Sequence, residues 1–168
     1  TTQLATTAFV GNATAALPPT LPLSGGTLTG NVVFQEGISI ERVIEKVDID
    51  SSGSATGSII IDIKTQAIVW DKANATGNFT LNIRGDASTT LNSIMNAGQA
   101  LTTVYVCTNG VTPYYLTSVN VDSAAATIKW VGGAPTSGTA NSITTYTLTI
   151  IKTGDQIFTV LASTSAFE

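Results

Sequence analysis

The chain predicts an all-β fold: a jelly-roll-like β-sandwich with one short helix, preceded by an extended N-terminal arm. Three observations lead there. Apolar and polar residues alternate over most of the sequence after Lys46, and turn signals recur about every ten residues, as in a sandwich. Threonine, whose β-branched side chain suits pleated and half-exposed positions, is abundant, whereas charged residues make up only 11% of the 168. That is well below the roughly 25% usual for soluble domains, so the surface is expected to be hydroxyl and amide rather than ionic. A hydrophobic content of 43% argues against a disordered Thr/Ser/Gly-rich polymer.

Residues 1 to about 44 read as an arm with no core of its own, and residues 45–168 as the β-sandwich head. Pro18, Pro19 and Pro22 keep LPPTLPL extended, because proline fixes its own φ and disfavours helix in the residue before it. In PLSGGTLTGNVVF, Gly25, Gly26 and Gly30 supply turn conformations, while Leu23, Leu28, Val32 and Phe34 present apolar groups with nothing local to cover them. A lone hairpin of this size is marginal in water, so equivalent strands of other copies are expected around it. Ile40, Val43, Ile44 and Val47 fall at i, i+3, i+4 and i+7, a pattern that fits two helical turns near a shared axis or the start of a strand. Leu23, Leu28, Val32, Phe34, Ile40, Val43 and Ile44 are therefore the candidate self-association contacts.

Beyond Lys46 the expected strands are 47–50, 58–64, 67–71, 78–84, 100–107, 114–121, 127–131, 142–152 and 156–161. They are separated by SSGSATG, NATGN, TNGVTP, GGAPTSG and KTGD. Thr145, Thr147 and Thr149 alternate with Tyr146, Leu148 and Ile150, which predicts one threonine face and one core face. Leu91, Ile94 and Met95 have helical spacing in TTLNSIMNAG, with Gly98 placed to end a short helix.

Two sets of segments carry a resemblance. LPLSGGTLTGNVVF looks like the S-G-G-x-x-T-G segment of tail fibres and related virion proteins of tailed bacteriophages, usually obligate trimers, and TTQLATTAFV is similar to another segment common in those fibres. The runs QAIVWDKANATGNFTLNIRGDASTTLNSIMNAGQ, IKWVGGAPTSGTANSITTYTLTIIKTG and FTVLAS resemble a domain that recurs in structural proteins of phages of marine bacteria, cyanophages among them. The resemblance implies a homotrimeric virion component, a tail fibre or fibre-like appendage. It further implies attachment to other virion proteins through the arm and assembly in the bacterial cytoplasm; it does not identify a receptor, for which host-surface polysaccharide is a natural ligand of a fibre tip. A capsid decoration protein or head fibre, and a monomeric carbohydrate-binding module, are the alternatives.

Absences narrow the chemistry. With no histidine, the chain lacks the commonest general base and metal ligand and any Ser-His or Cys-His pair. The glycine turns form neither phosphate-cradling motif. Neither catalysis nor a cofactor is expected, although some pair among Asp48, Asp50, Asp62, Asp71 and Asp86 could lie at glycosidase spacing. Asp62, inside SIIIDIK, reads as a hydrogen-bonded structural acid. DIDSSG at Asp48–Gly53 matches the opening of a calcium loop, but its twelfth position is Ile59 where a bidentate Glu is required. Asp48 and Asp50 are thus weak metal candidates, with a polar turn as the plainer reading.

The single cysteine, Cys107, sits in the apolar run TTVYVCT and reads as a buried structural thiol. A net charge of −4 without any run of Lys or Arg gives no attraction to nucleic acid. No apolar run approaches the about 18 residues needed for membrane insertion, and the first residues lack a basic segment followed by an apolar one. Among the aromatics, Trp70 and Trp130 lie in apolar strands, as core or intersubunit residues. Tyr114 and Tyr115 follow Pro113 at a turn and are the candidate receptor contacts, since exposed aromatics stack on sugar rings.

Overall fold

A computed structural model describes residues 44–168. Its first six strands are β1 (Val47–Ser54), β2 (Gly57–Asp62), β3 (Ile68–Asn74), β4 (Phe79–Arg84), β5 (Ala100–Thr108) and β6 (Leu116–Val121). They alternate between two sheets. The odd strands pair in parallel in one, β1 with β3 and β3 with β5, and the even strands in the other, β2 with β4 and β4 with β6. Each strand of one sheet is thereby part of the crossover between parallel neighbours in the other, so this half of the molecule winds as a flattened three-turn coil.

The corners of the coil stack. The Ala55 carbonyl accepts from Thr76 N, and Ala75 N donates to the Thr108 carbonyl. Small side chains fit inside these corners: Ala55 and Ala75 are buried. Gly77 leaves room there for the Thr56 hydroxyl, which a Cβ would approach to 2.7 Å.

The remainder is β7 (Ala124–Ala125), β8 (Thr127–Trp130), β9 (Ile143–Gly154) and β10 (Ile157–Phe167). The hairpin β9–β10 extends the first sheet antiparallel to β5, giving the order β1-β3-β5-β9-β10-β8, with β8 parallel to β10. The second sheet runs β2-β4-β6-β7. Asp122 and Ser123 join β6 to β7, both with positive φ, as a two-residue hairpin turn requires.

The expectation of an all-β chain with two packed sheets and one short helix is met, but the jelly-roll connectivity is not. A jelly roll is built from antiparallel Greek keys. Here five of the eight strand pairings are parallel. Alternation tells which face of a strand is buried and is silent about the direction of its neighbour.

Both sheets contribute to one core. Phe79 of β4 meets Tyr105 of β5 and Tyr146 of β9 edge-on, at centroid distances of 5.3 and 5.7 Å. Tyr105 donates to Asp71 at 2.6 Å, and the Tyr146 hydroxyl accepts from Leu116 N. Leu81, Ile83, Leu116 and Val119 face Leu148, Ile150 and Val160 around them. Tyr146, Leu148 and Ile150 are buried while Thr145, Thr147 and Thr149 line the outside, as the alternation in β9 predicts.

The helix α1 (Leu91–Ile94) closes one end. Thr90 caps it by accepting from Ser93 N, and both Asp122 oxygens accept its first amides, from Leu91 N and Asn92 N. Buried Lys152 donates to the Asn92 and Met95 carbonyls at its other end. Gly98, with φ of 86°, lies beyond Met95 in the turn before β5.

Candidate interaction surface

The strand registers set side chains of the first sheet in rows across its outer face. One row runs Val47–Ile68–Val104–Thr147–Ser163, the next Ile49–Trp70–Val106–Thr145–Ser165. Both rows are apolar over β1, β3 and β5 and change to hydroxyl side chains at β9. Val47 and Ile49 are 36% and 50% exposed, and Ile68, Trp70, Val104 and Val106 are half-buried. The Trp70 indole donates to Thr108 Oγ1, and Lys72 Nζ stands 5.6 Å from the centre of its ring.

The outer face of the second sheet is different. Its rows are Ser58–Thr80–Ser118 and Ile60–Asn82–Asn120, beside the ion pair of Asp62 with Arg84 at 2.6 Å. Asp62 thus stands on this outer face, half-buried and paired.

Parallel sheets normally have both faces covered, which is why their strands lack polar alternation. Among these residues the coil buries only the inner face of β3 and β5, and β1, with exposed Asp48 and Asp50 on that side, is open on both faces. The outer face therefore presents an in-register apolar block of six residues, the kind of patch that marks an association surface. Sequence reasoning named Trp70 as core or intersubunit, placed Val47 in a pattern near a shared axis, and missed the other four. The signal was available in AIVW and VYVC, where apolar residues follow one another without alternating.

The sequence candidates are dispersed. Leu23, Leu28, Val32, Phe34, Ile40 and Val43 lie outside the described residues. Ile44 is 87% exposed and precedes β1, which starts at Val47. Asp48 and Asp50 lie in β1 beside the irregularity between Asp50 and Ser54. Asp50 Oδ1 accepts from Ser52 N, Ser52 Oγ and Gly53 N, hydrogen bonds that hold its carboxyl below the usual range. The plainer expectation of a polar turn between strands is corrected: these bonds form within β1, at an irregularity in its pairing with β3. Among the described residues, no three His, Cys, Asp or Glu side chains form a metal-binding group.

Asp71 is buried against the Tyr105 hydroxyl, and Asp86 pairs with Lys64, whose hydrogen bond keeps the Asp86 carboxyl well below the ordinary carboxylate range. Burial, then the bond to Asp71, drives the Tyr105 phenol far above its ordinary range. Burial pushes the Cys107 thiol up to about 12, with Asp71 adding to it. Cys107 is the inert, buried thiol its apolar run predicts.

Tyr114 and Tyr115 lie in the loop between β5 and β6, and both are half-buried. Buried Asn109 fastens this loop by accepting from Tyr114 N and donating to its carbonyl, and Asn78 accepts from Tyr115 N. Tyr114 packs partly on the core, as does Trp130 of β8.

The chain matches no family model, no curated protein and no solved structure.

Proposed function

We propose that this chain is a structural protein of a tailed-phage virion, a tail fibre or fibre-like appendage, whose copies associate as a homotrimer through the outer face of β1, β3 and β5. The observation that carries this reading is the six-residue apolar block, because parallel strands that gather apolar side chains on an outer face call for a cover there. A cyclic arrangement of three copies turns one such block per copy toward a shared axis and leaves the polar outer face of the second sheet to solvent. The virion assignment draws its support from the SGGTLTG and TTQLATTAFV segments. In this reading the arm joins other virion proteins, Leu23, Leu28, Val32 and Phe34 line a stalk, and the Tyr114–Tyr115 loop is presented to host polysaccharide.

Light scattering on the whole chain tests the assembly, with three times the 17.3 kDa chain mass expected and a monomer overturning it. Antibody labelling of phage particles that encode the chain tests the location. Label on the tail is expected, label on the shell converts the assignment to a capsid decoration protein, and particles without label overturn the virion reading.

A further inference from the structure

A shallow groove of about 390 Å³ crosses one end of the outer face of the first sheet. Asn74, Thr108, Ile143 and Phe167 are consecutive register partners on β3, β5, β9 and β10, so their side chains form a single row along it. With strands about 4.8 Å apart, four of them span about 14 Å, the reach of a short oligosaccharide rather than of one sugar ring.

The chemistry of the row is that of a neutral ligand. Asn74 supplies an amide at one end, and Asn141 a second beside Ile143. Among the described residues neither side-chain amide has a hydrogen-bond partner, and each has donor and acceptor atoms that suit hydroxyl groups. Phe167 is 59% exposed and Ile143 38% exposed, an uncovered aromatic and aliphatic pair of the kind that packs on the C–H face of a sugar ring. Glu168 contributes the one charged side chain among the lining residues. One backbone bond ties the groove floor, from Asn141 N to the Gly110 carbonyl, and Gly110 leaves room for the Asn74 amide, which a Cβ would approach to 2.8 Å. Asn141 has a φ of 52°, a conformation that asparagine and aspartate tolerate better than other side chains.

We infer that this groove binds an uncharged oligosaccharide, with Phe167 and Ile143 as the stacking platform and Asn74 and Asn141 as the hydroxyl-recognising amides. The groove borders the self-association block on the outer face of β3 and β5, where Trp70 donates to Thr108 Oγ1, and its use on a host surface rests on the virion reading.

The test is titration of the isotopically labelled full chain with maltose, cellobiose, lactose and chitobiose, followed by amide chemical shifts. At least one sugar is expected to perturb Asn74, Gly110, Asn141, Ile143 and Phe167 as a contiguous set, and sialyllactose, which is anionic, to bind less well than lactose. Phe167→Ala is expected to weaken binding at least tenfold, about 1.4 kcal/mol, at unchanged molar mass. Asn141→Asp, which keeps the backbone conformation accessible, is expected to weaken it several-fold. Shifts elsewhere, or no shift with any sugar up to its solubility, overturn the inference. So does a fall in molar mass on Phe167→Ala, which would assign the row to the self-association face. A monomeric wild type that still binds sugar would instead overturn the trimer and leave the groove standing.

Discussion

The two halves of the first sheet share one core and differ on the outside. Over β1, β3 and β5 the outer rows are valine, isoleucine and tryptophan; over β9 and β10 the same rows become threonine and serine. Inside, the same registers hold Val69, Tyr105 and Tyr146 in a buried line. The folding requirement, a buried inner face, is thus met by β3 and β5 as it is by β9, while β1 adds exposed Asp48 and Asp50 on that side. The excess apolar surface of the coil half is not needed for that core, which is why it reads as a surface for a partner.

The largest effect is expected where the halves meet. Phe79→Ala removes the ring between Tyr105 and Tyr146 and should destabilise the chain by about 3–5 kcal/mol. Chemical denaturation should remain a single transition by fluorescence and circular dichroism. Separate transitions for coil and hairpin would break the idea of a common core.

Next comes the outer face itself. Trp70→Asp places a carboxylate in the apolar block and should reduce association at least a hundredfold, about 2.7 kcal/mol, while Thr147→Asp in the hydroxyl half should change molar mass little. Light scattering and circular dichroism on both variants separate lost assembly from lost folding. Equal effects would erase the distinction between the halves.

Lys152→Met cuts the tie by which the hairpin holds α1. It leaves the Asn92 and Met95 carbonyls without their shared donor, at a cost of about 1–3 kcal/mol in thermal or chemical unfolding. Its amide protons around α1 should exchange faster, while those of β4 and β5 stay protected against local opening.

The smallest effect is a slope. Cys107, where β5 joins β9, keeps its proton in the folded chain up to about pH 12, whereas the unfolded thiol ionises near 8.5. Above about pH 8.5 the folded state therefore holds the extra proton, and stability falls with rising pH by at most about 1.4 kcal/mol per unit. Below that range the contribution is fully present. Denaturation midpoints between pH 8 and pH 10 should decline less steeply in Cys107→Ala, and identical slopes would count against the thiol as the source.

Much of the architecture was legible in particular stretches. The alternation TYTLTI marks which face of β9 is buried, and LNSIM marks α1, because each pattern reports how a local segment meets an apolar side. All nine expected strands are present, with shifted ends, and the two-residue β7 was missed. Its only local signal is AA beside a turn. The local bonding of Asp50 was legible in part, since Asp and Ser bond to nearby backbone amides within a few residues, but it lies inside β1 and not in a turn between strands. The groove row was not legible, because Asn74, Thr108, Ile143 and Phe167 are brought together only by register.

Composition and periodicity by themselves thus determined an all-β chain, its buried faces, its short helix, its buried thiol and its low content of charge. Each of these depends on interactions within a few residues or on bulk solubility. Tertiary structure alone decided that the first six strands coil in parallel rather than run antiparallel, and that six apolar side chains gather on one outer face. Strand direction and register arise from contacts between residues tens of positions apart, and a period of two carries no record of which strand lies alongside.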